Sequence, residues 1–273
     1  MAGRGFIRIV RYDIKEGFKQ NIFKNLIGIG VLCFICLIGI IDCNLSAEEN
    51  GFLGYLAYIF QGIPEYVKTP DSHFELPVIW LLFHLYILFL VSTYPFKDIH
   101  NCGKNVLIFS GSRRYWWFSK CIWTAVNIIQ YYFVCYLLMS VITLLRNEYR
   151  FYVLDIINVL GNPYSELQII DILLALCILP VMTSISIALS QMLISFVWGP
   201  AIGYLSSIVL LVCSAYLSHP LLAGNYTMLL RTRMYSESGV FWGMGLIMSV
   251  LIGGAAIYFG TRYMTQYDIL ERG

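Results

Sequence analysis

An all-α polytopic membrane protein with six transmembrane helices is the fold class this sequence predicts, and three observations predict it. Five stretches carry no Asp, Glu, Lys or Arg, at 25–41, 76–96, 121–145, 172–230 and 238–261, with lengths of 17, 21, 25, 59 and 24 residues. One helix needs roughly 20 residues to cross about 30 Å of hydrocarbon at about 1.5 Å per residue. The longest stretch therefore holds two helices, and Trp198-Gly199-Pro200 divides it, because proline lacks an amide hydrogen and disfavours helical geometry in the residue before it. Third, lysine and arginine are distributed unevenly between alternate connections. The chain, 1–273, reads as one transmembrane domain.

The elements follow in order. Within 1–24, Phe6, Ile9, Val10, Ile14, Phe18 and Ile22 recur at spacings of three and four, while Arg8, Arg11, Lys15 and Lys19 take other positions. That periodicity predicts an amphipathic interfacial helix, serving either as a plain anchor or as a docking element. Charged residues interrupt the start up to Leu26, so no cleavable signal sequence is expected there. Spans are expected at 25–42, 76–96, 121–145, 171–198, 201–218 and 239–261. Between the first two, Phe52-Leu53-Gly54-Tyr55-Leu56-Ala57-Tyr58-Ile59-Phe60 is too short to cross but apolar enough to lie at the outer interface. Between the last two, His219-Pro220-Leu221-Leu222-Ala223-Gly224-Asn225 is either a short re-entrant hairpin or a simple outer turn.

Thirteen of the 18 Lys and Arg fall on the N-terminal segment, the second connection and the tail, and five on the first, third and fifth connections. Cytoplasmic loops carry the excess of positive charge, so both termini are expected in the cytoplasm. A net charge of +2 implies no nucleic-acid partner. Cys33-x-x-Cys36 has neither a second pair nor a nearby histidine and reads as helix packing rather than a metal or redox motif; no structural disulfide is expected.

The connection 97–120 is the most informative. Lys97, Lys104, Arg113, Arg114 and Lys120 hold it at the cytoplasmic face, and Val106, Leu107, Ile108 and Phe109 offer a protein partner an apolar surface. Catalytic patterns are missing. Gly103-Lys104 is followed by Asn105 and lacks the preceding glycine of a P-loop, and neither His-Glu-x-x-His nor Gly-x-Ser-x-Gly occurs. No cofactor or metal is assigned to the chain, and an intramembrane enzyme is disfavoured. His84 is the only histidine well inside a span and reads as a neutral core residue, which argues against ion-coupled transport. Asn127, Gln130, Thr183, Ser184, Ser186, Ser190, Gln191 and Ser195 read mostly as joints between helices, worth about 0.6 kcal/mol each. Tyr131, Tyr132, Phe133, Tyr136, Met182 and Met192 are either packing surface or an adaptable apolar surface for amphipathic cargo.

Taken together, this order of elements resembles the permease subunits of ABC-2-type exporters. The stretch Ile108-Phe109-Ser110-Gly111-Ser112-Arg113-Arg114-Tyr115-Trp116-Trp117-Phe118-Ser119-Lys120 is similar to the passage that leads from the family's coupling helix into its third span. Ser190-Gln191-Met192-Leu193-Ile194-Ser195-Phe196 is similar to the end of its fourth. The resemblance implies two permease chains, identical or homologous, side by side in the inner membrane of a bacterium. Each would sit on a cytoplasmic ABC ATPase that binds ATP and Mg. A cytoplasmic coupling helix would lie between spans two and three, with Asp98, Asn101, Lys104, Val106, Leu107, Ile108, Phe109, Arg113 and Arg114 as coupling residues, braced by the N-terminal helix. Spans one, two and five would line the path, with Ser92, Thr93, Ser206 and Ser207 along it. The implied cargo is a hydrophobic or amphipathic molecule, such as an antimicrobial peptide or a drug. The alternative is a non-transporting assembly or sensor subunit that recruits a cytoplasmic partner.

Overall fold

A computed structural model describes residues 2–45, 51–66, 73–100, 113–165 and 168–266. Among them the chain is almost wholly helical, with one isolated β-bridge between Thr232 and Val240. Helix α1 (Ala2–Gln20) is separated from α2 (Ile22–Leu45) by Asn21, whose side chain donates to the Leu90 carbonyl at 3.0 Å. Then come α3 (Phe52–Phe60), α4 (Val78–Val91), α5 (Tyr94–His100), α6 (Arg113–Leu145) and α7 (Leu154–Leu160). Helix α8 (Ile169–Leu173) runs through a π-turn (Leu174–Ile178) into α9 (Leu179–Trp198). Helix α10 (Pro200–Tyr216), 3-10 turns at Ala223–Thr227 and Leu229–Arg231, and α11 (Trp242–Gln266) complete the order.

Five stretches are long and apolar enough to cross a membrane: Ile22–Cys43, Val78–Ile99, Arg113–Leu145, Ile169–Trp198 and Trp242–Gln266. The sequence-predicted fifth span, 201–218, is α10, whose 17 residues reach about 25 Å and fall short of a hydrocarbon core of about 30 Å. Gly199, at φ 98°, ends α9, and Pro200 opens α10 where its missing amide is not needed. The third span starts at Arg113 rather than near 121, so the end of the presumed loop is helical.

The π-turn has a local cause. Pro180 cannot donate to the carbonyl four residues back, that of Leu176. Tyr136 of α6 donates to that carbonyl instead, at 3.0 Å, and Tyr132 donates to the Pro180 carbonyl at 3.1 Å. The Tyr136 hydroxyl thus satisfies the carbonyl that Pro180 leaves open, which buried backbone requires. Further polar joints link Tyr132 with Ser184 at 2.9 Å, Thr183 with Ser249 at 3.1 Å, and the Gln191 amide with the Leu88 carbonyl at 3.0 Å.

Two connecting segments bear on the expectations. Helix α3 does not lie open on a surface but is packed inside the protein; every residue but Tyr58 is buried. Its last ring, Phe60, meets Phe83 edge-on at 5.1 Å and stacks on Tyr132 at 6.0 Å, so it plugs the centre of the bundle. Its polar groups find partners, which is why a nine-residue helix tolerates the interior: Tyr55 donates to Glu148 at 2.8 Å and Tyr58 to Asp42. Burial acts to raise the Glu148 carboxyl, but hydrogen bonds from Arg146 and Tyr55 outweigh it and hold it below its usual range. Of the segment after α10, for which hairpin and turn were both open, His219, Pro220 and Leu221 form an exposed turn, and the chain then enters a buried pair of 3-10 turns at Ala223–Thr227 and Leu229–Arg231. Arg231 within it is 1 % exposed. Its guanidinium donates to the carbonyls of Ile63 (3.0 Å) and Leu217 (2.9 Å), and to Ser214, Ala215 and Asn225, so it caps the C-terminal end of α10. His84 matches the neutral core expectation in part: its Nδ1 lies 2.8 Å from the Trp80 carbonyl, among the rings of Phe60, Trp80 and Phe83.

Candidate functional site: a buried charge cluster at the α1 end

Helix α1 carries Ile9, Asp13 and Gly17 on one buried face, while Arg8, Arg11, Lys15 and Lys19 are exposed. The spacing of four residues puts the three on one line along the helix. That face packs on the start of α6. Phe6 lies 5.5 Å from the Tyr115 ring, and a Cβ on Gly17 would come within 2.0 Å of Trp123 Nε1, so only glycine lets the helices approach this closely. Of the expected interfacial residues, Ile9 is buried and Phe6, Val10, Ile14 and Phe18 are half-buried. The amphipathic helix is thus docked on protein as well as facing outward with its basic groups.

At this junction Lys120 is fully buried and its ammonium meets two carboxylates, Asp13 of α1 at 2.7 Å and Asp98 of α5 at 2.6 Å. The remaining space around it is aromatic, with Tyr94 at 4.6 Å and Trp116 at 5.1 Å from ring centre to Nζ. Ser119 donates to the other Asp13 oxygen, and Tyr94 reaches Asp13 at 3.4 Å. Two buried carboxylates share one cation. Burial therefore pushes the Asp13 carboxyl above its ordinary 3.8; Lys120 and Ser119 pull it down, and Asp98 adds to the rise.

An apolar layer braces the cluster. Trp117 and Trp116 meet Phe196 edge-on at 5.6 and 5.7 Å, and Gly260 leaves room for the Trp117 ring. Tyr263 donates to the Phe196 carbonyl at 3.1 Å, and Arg113 to that of Thr265 at 3.3 Å. One end of the bundle therefore gathers α1, α5, the start of α6 and the ends of α9 and α11.

The expected coupling residues separate. Asp98 points inward to Lys120, Arg113 engages α11 and Arg114 is exposed. Asn101, Lys104, Val106, Leu107, Ile108 and Phe109 lie outside the described residues. Of the expected path residues, Ser92, just past the end of α4, donates back to Phe89 at 2.8 Å, and Ser206 and Ser207 donate to Gly203 within α10 at 2.7 and 3.4 Å. Thr93 accepts from Lys24 at 2.8 Å. Lys120 and Arg231, counted as loop cations, are both interior. Setting one aside on each side leaves twelve against four, so the charge bias stands.

Five apolar helices of spanning length and a bundle packed around them define a helical multi-pass membrane protein. Compared with protein-family models, curated proteins and solved structures, the chain matches none.

Proposed function

We propose that this chain is the membrane-spanning subunit of an ATP-driven exporter, powered by a separate cytoplasmic ATPase that docks on 97–120. The observation that carries this reading is the buried cluster. Asp98 anchors the chain just before 101–112, Lys120 anchors it just after, and Asp13 ties both to the N-terminal helix. A segment clamped at both ends to a rigid base passes a push into the spans, whereas a slack loop absorbs it. The apolar sequence at 106–109 and its flanking lysine and arginines supply the docking surface. In this reading the chain crosses six times, with α10 as the short fifth span, and both termini are cytoplasmic.

Helix α4 packs on both α2 and α10, through Tyr86 to the Lys24 carbonyl at 2.6 Å and Tyr204 to the Leu85 carbonyl at 3.2 Å. These three helices form one side of the bundle, with Leu26, Leu37, Ile202 and Leu205 exposed. Because Phe60, Phe83 and Tyr132 fill the centre, a path for a hydrophobic or amphipathic cargo would form between two chains on that side. The filled centre equally suits a subunit that recruits a cytoplasmic partner and transports nothing.

The test is purification from native membrane in mild detergent, with mass spectrometry of what stays bound and assay of ATP hydrolysis. A P-loop protein that co-purifies, hydrolyses ATP and is lost when Val106, Leu107 and Ile108 are all replaced by Asp supports the exporter. An ATPase whose turnover never responds to cargo supports recruitment. Recovery of a folded chain with no ATPase overturns docking on this loop.

A further inference from the structure

At the same end as the charge cluster, α6 and α11 leave a groove of about 530 Å³ between them. Arg114 and Arg262 stand at its head, and Phe118, Gly254, Ile257 and Tyr258 continue its floor. Arg262 sits over the Tyr258 ring at 5.8 Å, which holds one guanidinium at the head of the groove. A Cβ placed on Gly254 would meet nothing within 4 Å, so the far end is open space. Thr261 and Thr265 also line it, but their hydroxyls donate to the carbonyls of Ile257 and Arg262, at 2.7 Å each. No carboxylate lines the groove among the described residues.

Shape and charge together select the occupant. From Gly254 to Thr265 the helix rises about 16 Å, close to half of the roughly 30 Å hydrocarbon thickness and so to one leaflet. A ligand that fits has an anionic head for two arginines and an apolar tail one leaflet long. We propose that this groove binds one anionic phospholipid, its phosphate between Arg114 and Arg262 and an acyl chain along Phe118, Ile257 and Tyr258 towards Gly254. Guanidinium groups match phosphate oxygens in paired hydrogen bonds, and basic pockets between membrane helices hold lipid headgroups. The site is independent of the exporter reading and needs only that α6 and α11 cross the bilayer.

The experiment is native mass spectrometry of the detergent-purified chain mixed with phosphatidylglycerol or phosphatidylcholine of the same acyl composition. One phosphatidylglycerol is expected to stay bound in preference to phosphatidylcholine. Arg114→Gln with Arg262→Gln should cut that preference by about 30-fold, equivalent to about 1 kcal/mol per arginine. Gly254→Trp should lower retention of both lipids by filling the tail groove with the arginines in place. Equal retention of the two lipids by the wild type, or an unchanged preference in the double variant, overturns the proposal. So does cross-linking between two copies in native membrane through Tyr258→Cys, which would show a second chain covering the groove.

Discussion

Replacing Lys120 with Met keeps the length of the side chain and much of its apolar stem while deleting the charge that Asp13 and Asp98 share. Both carboxylates then stay in a site closed to water, at 1 % and 2 % exposure. Removing one partner of a buried ion pair costs about 3–5 kcal/mol. A second route to the magnitude agrees. The cheapest relief is to protonate Asp13, and for a carboxyl of ordinary pKa 3.8 this costs about 4.4 kcal/mol at pH 7, at about 1.4 kcal/mol per unit. The measurement is thermal unfolding in mild detergent, followed by fluorescence of Trp116, Trp117 and Trp123, which surround the cluster. At about 2–4 °C per kcal/mol for a chain of this size, the midpoint should fall by about 6–20 °C. Because protonation relieves the strain, the deficit should shrink on going from pH 7 to pH 5. Adding Asp13→Asn and Asp98→Asn to Lys120→Met should restore most of the loss. A variant within about 1 kcal/mol of wild type, or a triple variant no better than the single one, would refute the account of a charge cluster held by mutual neutralisation.

Three other predictions rest on the same kind of reasoning. Asp13→Asn leaves Lys120 paired one-to-one with Asp98 and should cost much less than Lys120→Met. Since burial raises the Asp13 carboxyl, the protonated form is favoured in the fold, and wild-type stability relative to Asp13→Asn should fall as pH rises from about 4 through the raised value; parallel pH curves would contradict this. Arg231→Leu strands several buried carbonyls that the guanidinium now satisfies, each costing about 1–3 kcal/mol, and should reduce detergent stability more than Arg233→Leu, whose side chain is exposed. Gly17→Leu drives a side chain into Trp123 and should free α1 to limited proteolysis at its exposed lysines; an unchanged cleavage pattern would remove the docking of α1 on α6.

Five of the six expected spans were legible because hydrophobic length is a one-dimensional property that the bilayer imposes on each helix alone, while 201–218 proved to be a helix of only 17 residues. The amphipathic helix was legible for a related reason, its period lying within one segment. Burial of Lys120 was not, since its partners stand 22 and 107 positions away and a lysine at the edge of a basic loop looks like any headgroup cation. A local signal did exist: Asp13 interrupts the apolar line of Ile9 and Gly17, and a carboxylate there asks for an interior partner. Helix α3 was misplaced because a short apolar segment satisfies an interface and a plug equally; Glu148 and Asp42, which receive its tyrosines, decide between them. Pro180 was a local signal for the bulge that the sequence reading did not use, and the hydroxyls that make the bulge tolerable come from another helix. The proposed docking segment, 101–112, lies outside the described residues.

The plug formed by α3 sets an order of assembly during synthesis. Nine residues rise about 13.5 Å, too little to hold in a bilayer unaided. The segment just after it depends on chain made much later: the Gln61 carbonyl accepts from Leu230 at 3.0 Å, and the Ile63 carbonyl from Arg231, 168 positions downstream. At roughly 5–20 residues per second, a ribosome needs about 8–34 s to cover that distance. Through that interval the Gln61 and Ile63 carbonyls wait without these two partners while the later helices are made. The end of the bundle that holds 61–63 and Arg231 is therefore the last to close, and a truncated product lacking residues beyond 222 would leave the Gln61 and Ile63 carbonyls open for membrane quality control to find.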